Sequence, residues 1–476
     1  MLNSFFSDAI KYGVSSLLVR GINFVLLPIY TRSLDPTDYG SLDIVVIIAG
    51  LINIIITFEI TQGVGRFYAD EKNILNKALY ASTSFWFTVL MYLIFLVFAF
   101  TNAKFLSTFI FDQEGKSDIV LVGTAFIVTN GLFYLCQNQL RWKLDSTNHA
   151  IVSFLVVAII ASLSINCYLF SSLSLFQILL FMVIGNSVGV IYSLYKLRDT
   201  YFCQFSIKML KEMLSYSSPL VVSSVAIFGF MYLDRVMIGY FLTMNEIGLY
   251  AAGFKIAAIS SLALIGFQSA LTPLIFSNYE KTSTPLDISK LFTMFMILGL
   301  FLYAILALFS NFWISLFAND KYIMSSTVIG NLALANILFN SYIFAPGLSI
   351  AKKTYIIVVI TVVALGVNLL LNYVLIPKLN IYGASLSTVL CTAFSAVVTF
   401  FVSRKFYYVP YEINCVLFAF SICFLISINT ILPNFSLLGE LLYLATIFFL
   451  IICLLASSNV IKNLVKDWRK QLWDFK

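Results

Sequence analysis

The chain has 476 residues, of which 61% are apolar and only 11% charged, with a formal net charge of +7 and a mean hydropathy of +0.96. That balance excludes an ordinary soluble domain, and repeated apolar runs of about 20 residues exclude a β-barrel, whose strands alternate every second residue. The seven cysteines lack CxxC or metal-ligand spacing and read as small core hydrophobes, and the single histidine, His149, falls in a short polar turn. No metal, cofactor or catalytic residue is expected.

Taken in chain order, fourteen membrane-spanning helices are predicted, at about 10–30, 41–63, 79–100, 119–140, 150–170, 174–195, 214–241, 247–274, 289–310, 326–348, 355–376, 382–403, 411–431 and 437–458. The opening residues, MLNSFFSDAIK, lack the pattern of a cleaved secretory signal, so the first span is expected to be retained. An even number of spans puts both termini on one side. The loops of that side carry Lys11, Arg66, Lys72, Lys77, Arg141, Lys143, Lys196, Arg198, Lys208, Lys211, Lys281, Lys290, Lys352, Lys353, Arg404, Lys405 and five cations of the tail Lys462–Lys476. The opposite loops carry Arg32, Lys104, Lys116, Lys321 and Lys378 alone. Positive loops stay inside, so both termini of this multi-pass protein are expected in the cytoplasm. The positive net charge follows from this bias and does not indicate nucleic acid. The basic tail suits anionic membrane lipids.

Three cations fall within the spans themselves. Arg20 lies in the apolar run Tyr12–Thr31, Arg235 in Pro219–Leu242 and Lys255 in Ile247–Leu271. A charge at bilayer depth costs about 2.5–3.5 kcal/mol on insertion scales, so it faces protein or a water-filled path. An anionic cargo and a structural ion pair are the two candidate reasons. Ser16, Arg20 and Asn23 share one face of the first helix, and Asp43, Gly50, Asn53 and Thr57 share one face of the second. Such stripes suit the walls of a wet cavity, with polar glue between packed helices as the alternative. Asp234 and Arg235 diverge by about 100° on a helix, so Asp234 is expected to pair with Lys255 and leave Arg235 to an anion. Arg66 and Glu59 are placed near the cytoplasmic mouth. Asp43, Glu59 and Asp234 are the candidates for ion coupling or ion pairing. Pro28, Pro219, Pro273 and Pro346 interrupt apolar spans and are candidate kinks.

A short motif recurs. Leu34, Asp38 and Gly40 before the second span match Leu242, Glu246 and Gly248 before the eighth, all at one offset. The same offset lays spans one to six onto spans seven to twelve. The expected organisation is a six-helix lobe over 1–205, a second over 206–409, and an extra pair with the basic tail over 410–476. Parallel repeats of this kind imply two lobes with a cavity between them.

The segment Pro28-Ile-Tyr-Thr-Arg-Ser-Leu-Asp-Pro-Thr-Asp-Tyr-Gly-Ser-Leu42, followed by Gly63-Val-Gly-Arg-Phe-Tyr68, resembles the N-terminal signature of polysaccharide-exporting flippases. These are the Wzx-type O-antigen and capsule transporters of the multidrug/oligosaccharidyl-lipid/polysaccharide (MOP) superfamily. Asp35 stands where that signature commonly has glycine, which stiffens the turn. Asp234-Arg235-Val-Met-Ile-Gly239, Gly248-Leu-Tyr250 and Lys255 also resemble the family. The resemblance implies an all-α, MATE-like membrane fold and no enzymatic activity. It also implies alternating-access transport of an undecaprenyl-pyrophosphate-linked oligosaccharide to the periplasmic leaflet, alongside membrane lipids and other polysaccharide assembly proteins. Arg20, Arg235, Lys255 and Arg66 then become candidate anion-binding residues. A lipid II-type flippase and a multidrug or cation antiporter remain open within the superfamily. A polysaccharide polymerase or ligase is the alternative of another class, and it usually carries a large outer loop that this chain lacks.

Overall fold

The computed structural model describes residues 21, 22, 24–111, 114–201, 204–261, 271, 275 and 277–411. Ser16, Arg20 and Asn23, much of the predicted span 247–274, and everything beyond Tyr411 lie outside the described residues. Among the described residues all regular structure is helical, and nine helical stretches are long and apolar enough to cross a membrane.

The first helix, α1, covers residues 24–33. The next, α2 (Pro36–Ile56), starts where local chemistry dictates. Asp35 is its N-cap and accepts a hydrogen bond from the Asp38 N–H at 2.9 Å, Pro36 occupies the first turn, and Asp38 adds an acid there. Asp35, the departure from the family signature, is thus the residue that caps the helix.

The predicted span 41–63 is interrupted. The Phe58 N–H reaches Ile55 O and the Glu59 N–H reaches Ile54 O, both at 3.3 Å, which closes the helix in a Schellman-type turn. Phe58 and Glu59 both take positive φ, 50° and 51°, before α3 (Ile60–Asp70) begins. No glycine or proline marks this break, which is why the hydropathy pattern runs through it. The Gly63-x-Gly65 motif lies on α3 and is a packing device. A Cβ on Gly63 would stand 2.9 Å from the Met213 carbonyl oxygen, and one on Gly65 would stand 2.8 Å from the Trp142 indole nitrogen.

Downstream come α4 (Ile74–Thr101), a short α5 (Ala103–Phe111) in the expected outer loop, α6 (Ser117–Trp142), α7 (Ser146–Phe170) and α8 (Leu175–Lys196). Asn73 caps α4, Asp145 caps α7, and Ser174 with Gln177 forms a capping box on α8. Then follow α9 (Ile207–Phe241), α10 (Met244–Ala257), α11 (Thr284–Leu308), α12 (Ser310–Phe317), α13 (Ser326–Asn340) and α14 (Tyr355–Arg404). At 1.5 Å per residue the 50 residues of α14 would extend about 75 Å, more than twice the ~30 Å hydrocarbon core. Instead the chain turns at Asn380, φ 53°, and Cys391 Sγ donates to the Ala364 carbonyl at 3.0 Å across the fold. The turn separates the two spans predicted at 355–376 and 382–403.

The chain divides into two compact units. One takes the described residues within Met1–Arg235, Leu242–Ala251 and Phe317–Lys321; the other takes those within Val236–Phe241, Ala252–Leu316 and Tyr322–Lys476. In the first unit Ile60, Val64, Tyr68, Tyr80, Ala81, Phe87 and Met213 form a buried cluster. In the second, Gly299 lies against Ile337 and Asn331 donates to Ser385 at 3.0 Å. The outer faces are apolar: Leu90, Leu93, Ile94, Val97 and Phe98 of α4 are all exposed. An apolar exterior around buried Ser, Thr and Asn suits lipid as the surrounding solvent.

Candidate functional site

Within the first unit, the start of α2 crosses the start of α10. Thr243 caps α10 by accepting from the Asn245 N–H, and Glu246 accepts from the Thr243 N–H, both at 3.2 Å. The N-cap positions Asp35 and Thr243 stand at the same offset as Gly40 and Gly248. These two glycines meet backbone to backbone. A Cβ on Gly40 would run into the Met244 carbonyl oxygen and stand 2.8 Å from the Gly248 nitrogen. A Cβ on Gly248 would run into the Pro36 carbonyl oxygen and stand 2.9 Å from the Gly40 nitrogen. The contact is reciprocal, each glycine touching the other and the residue four before it. Beside it Lys116 bridges to Asp38 at 3.3 Å.

One turn further along α2 lies a buried charge cluster. Arg235 of α9 is 1% exposed. Its Nε lies 3.4 Å from Asp43 Oδ2, and its Nη1 donates to Asp234 Oδ1 at 3.1 Å and to the Met231 carbonyl at 3.3 Å. The guanidinium also lies over the rings of Tyr232 and Tyr250, with centroids at 5.4 and 5.1 Å. The Tyr250 hydroxyl donates to Asp234 Oδ2. The expected Asp234–Lys255 pair is therefore replaced. Asp234 is occupied by its own neighbour and by Tyr250, while Lys255 is exposed. Cα directions 100° apart do not keep the side chains apart, because the guanidinium is long enough to fold back onto the preceding carboxylate. Nor is Arg235 left to an anion, since two carboxylates share it.

Below this cluster a cavity of about 510 Å³ opens among α2, α4, α6 and α9. Gly50, Asn53 and Thr57 of α2 line it, as do Thr88 and Tyr92 of α4, Asn130, Tyr134 and Gln137 of α6, and Ser224, Phe228 and Met231 of α9. Asn53 links two of the walls. Its Nδ2 donates to Asn130 Oδ1 at 3.2 Å and its Oδ1 accepts from the Tyr92 hydroxyl. Gly131 makes this possible, because a Cβ there would collide with both the Tyr92 hydroxyl and the Asn53 Oδ1. Gly50 likewise admits the Phe228 ring, 2.8 Å from where a Cβ would stand. Thr88 is 1% exposed, and its hydroxyl has no hydrogen-bond partner.

Asp43, Asn53 and Thr57 thus lie along one face of α2, with Asp43 about 15 Å from Asn53 along the axis. Glu59 also lines the cavity, near the break after α2. Arg66 does not: it is exposed and pairs with Asp70 at 3.2 Å. Of the cations expected to line a cavity, Arg235, Lys255 and Arg66 are not among its described lining residues, which include one carboxylate, Glu59, and Arg20 lies outside the described residues. The amide and hydroxyl groups of Asn130, Gln137 and Tyr92 went unremarked in the sequence, although Asn130 and Gln137 stand seven apart inside an apolar span. Among the described residues no group of His, Cys, Asp and Glu could hold a metal ion.

Comparison with known proteins agrees with this architecture. A probable low-salt glycan biosynthesis flippase, Agl15 of Haloferax volcanii, is 28% identical over 212 residues, which span 43% of this chain and 45% of that protein. The fold matches the lipid II flippase MurJ in an inward closed conformation, with a TM-score of 0.70 and 12% identity over 96% of this chain and 100% of that one. It also matches an inward-facing multidrug resistance MATE family transporter of the MOP superfamily, with a TM-score of 0.67 and 16% identity over 82% and 94% of the two chains. At these identities the likeness to solved structures is one of fold. The family model described as "Polysaccharide biosynthesis protein" matches residues 6–280, more than half of the chain. With this match, the chain belongs to the polysaccharide biosynthesis protein family.

Proposed function

We propose that this protein is a flippase for a lipid-linked oligosaccharide, carrying repeat units attached to undecaprenyl pyrophosphate from the cytoplasmic to the periplasmic leaflet. The observation that carries the reading is the polar cavity set among membrane-spanning helices of the first unit. A cavity walled by amides and hydroxyls at that position has a use if hydrophilic cargo passes through. Family membership and the printed name of the Haloferax relative support it. The cargo would be an O-antigen, capsule or exopolysaccharide unit. The protein would lie in the inner membrane with both termini cytoplasmic, its six-helix lobes spanning 1–205 and 206–409.

In this reading the Asp43–Arg235 bridge closes the cavity toward the outer leaflet and parts as that end opens. Deletion of the gene, followed by analysis of lipid-linked intermediates, tests the function. Complete repeat units should accumulate on the inner leaflet. Normal surface glycan together with altered drug sensitivity would favour the antiporter instead, and accumulation of lipid II would favour that cargo.

A further inference from the structure

The short helix α5 (Ala103–Phe111) takes no part in the cavity, yet its sequence, AKFLSTFIF, is too apolar for a loop in water. We infer that α5 rests on phospholipid in the headgroup boundary of the leaflet opposite the basic loops, and that it ties the start of α2 to that boundary. The inference goes beyond the flippase reading and needs only the orientation of the chain.

The 28 residues of α4 reach about 42 Å at 1.5 Å per residue, more than the ~30 Å hydrocarbon core. Only Asn102 separates α4 from α5, so α5 begins where the core ends. A helix placed there in water would turn its apolar residues toward the protein. α5 does the reverse. Ser107 is fully buried, whereas Phe105 and Phe109 are 66% and 77% exposed. These two stand four apart on one face, with their rings stacked and centroids 6.0 Å apart. Leu106 and Ile110 are half-buried on one flank of that face, and Lys104 and Thr108 are exposed on the other. An interfacial helix divides in this way, with apolar side chains toward the acyl boundary and basic or polar ones toward water. The patch continues the apolar exterior of α4, whose last turns expose Val97, Phe98 and Phe100. That continuity, with Lys104 beside it to reach a phosphate, favours phospholipid over a protein partner.

The internal repeat supplies a second case. The offset from Gly40 to Gly248 lays Ala103–Phe111 onto 311–319, and α12 (Ser310–Phe317) fills most of that range. Taken by itself, α12 also exposes two apolar side chains four apart, Phe312 and Leu316. Trp313 between them donates its indole N–H to the Ile305 carbonyl at 3.2 Å and so holds α12 against α11.

The tie to α2 runs through one cation. Phe111, the last residue of α5, is buried, and Lys116 Nζ lies 5.5 Å from its ring centroid. The same ammonium donates to Asp38 Oδ1 and Ser41 Oγ, both at 3.3 Å. The depth of α5 in the boundary therefore bears on the first turns of α2, where Gly40 lies.

Two measurements test this. For the first, p-benzoylphenylalanine replaces Phe105, Phe109 or Thr108, one at a time, in the full chain. Cells are irradiated and the purified protein is weighed by intact mass spectrometry. Photoprobes at 105 and 109 should gain the mass of one phospholipid, and the probe at 108 should do so several-fold less. Capture of a second polypeptide in place of lipid, or no adduct at 105 and 109, overturns the lipid contact. The second is hydrogen exchange of the protein in lipid nanodiscs. Lys116→Met, and Phe105→Ser combined with Phe109→Ser, should each speed exchange at amides 39–42 several-fold without lowering protection in α7 and α8. Unchanged exchange at 39–42 in either variant overturns the tie. Reporter fusions read the orientation separately, so a reversed chain is told apart from a failed lipid contact.

Discussion

Arg235 shows how a buried cation is tolerated at the scale of single residues. Burying a guanidinium is costly, and Asp43, Asp234 and the Tyr232 and Tyr250 rings jointly offset that cost. Removing the cation strands two carboxylates, whereas removing Asp43 leaves Arg235 still paired with Asp234. Arg235→Gln should therefore destabilise the protein by about 3–5 kcal/mol, and Asp43→Asn by clearly less. Thermal unfolding of the single and double variants checks this. The cycle should show a coupling of at least about 0.5–1 kcal/mol between the two positions, as expected for residues in contact. Strict additivity would mean that the 3.4 Å approach contributes nothing. The spacing of Asp43, Asn53 and Thr57 made their shared face legible in the sequence. Their partners were not legible, since Arg235, Tyr92 and Asn130 come from helices whose approach depends on glycines at 50 and 131.

For the helices, hydropathy located the spans, and capping chemistry explains where several begin. Asp35-Pro36 and Thr243 with Glu246 are readable start signals. The break after α2 was not readable, because Thr57, Phe58 and Glu59 contain no residue that favours a left-handed turn. The crossing of α2 and α10 leads to a symmetric prediction. Gly40→Ala and Gly248→Ala should each destabilise the protein by about 1–3 kcal/mol or more, and by similar amounts, because each new methyl meets a backbone carbonyl that cannot rotate away. Melting temperatures of the two variants decide it. A large effect at one position with none at the other would contradict the reciprocal geometry.

At the scale of the whole molecule, the loops expected on the cytoplasmic side carry more cations than the opposite loops. Several of the more positive set lie over tyrosine or phenylalanine rings: Lys77 over Tyr68, Lys196 over Tyr192, Lys353 over Phe406 and Arg404 over Tyr408. Amphipathic rings beside basic side chains suit the headgroup level of a bilayer. A C-terminal green fluorescent protein fusion should therefore fluoresce, and a C-terminal alkaline phosphatase fusion should be inactive. The reverse pattern would place the basic loops outside and undo the orientation. The bias is read from the sequence alone, because it sums over many loops and needs no knowledge of packing.

The reciprocal meeting of Gly40 and Gly248 carries a historical consequence. In a contact between two copies of one surface, residue i touches j of the other copy while j touches i, and this is the mark of a two-fold axis. Here Gly40 touches Met244 and Gly248, and Gly248 touches Pro36 and Gly40, which is that pattern written within one chain. A half-length ancestor that dimerised through the start of its second helix would have needed only one glycine to make it. A chain made by duplicating and fusing such a half would require the glycine twice, and this chain has one at each of the two positions.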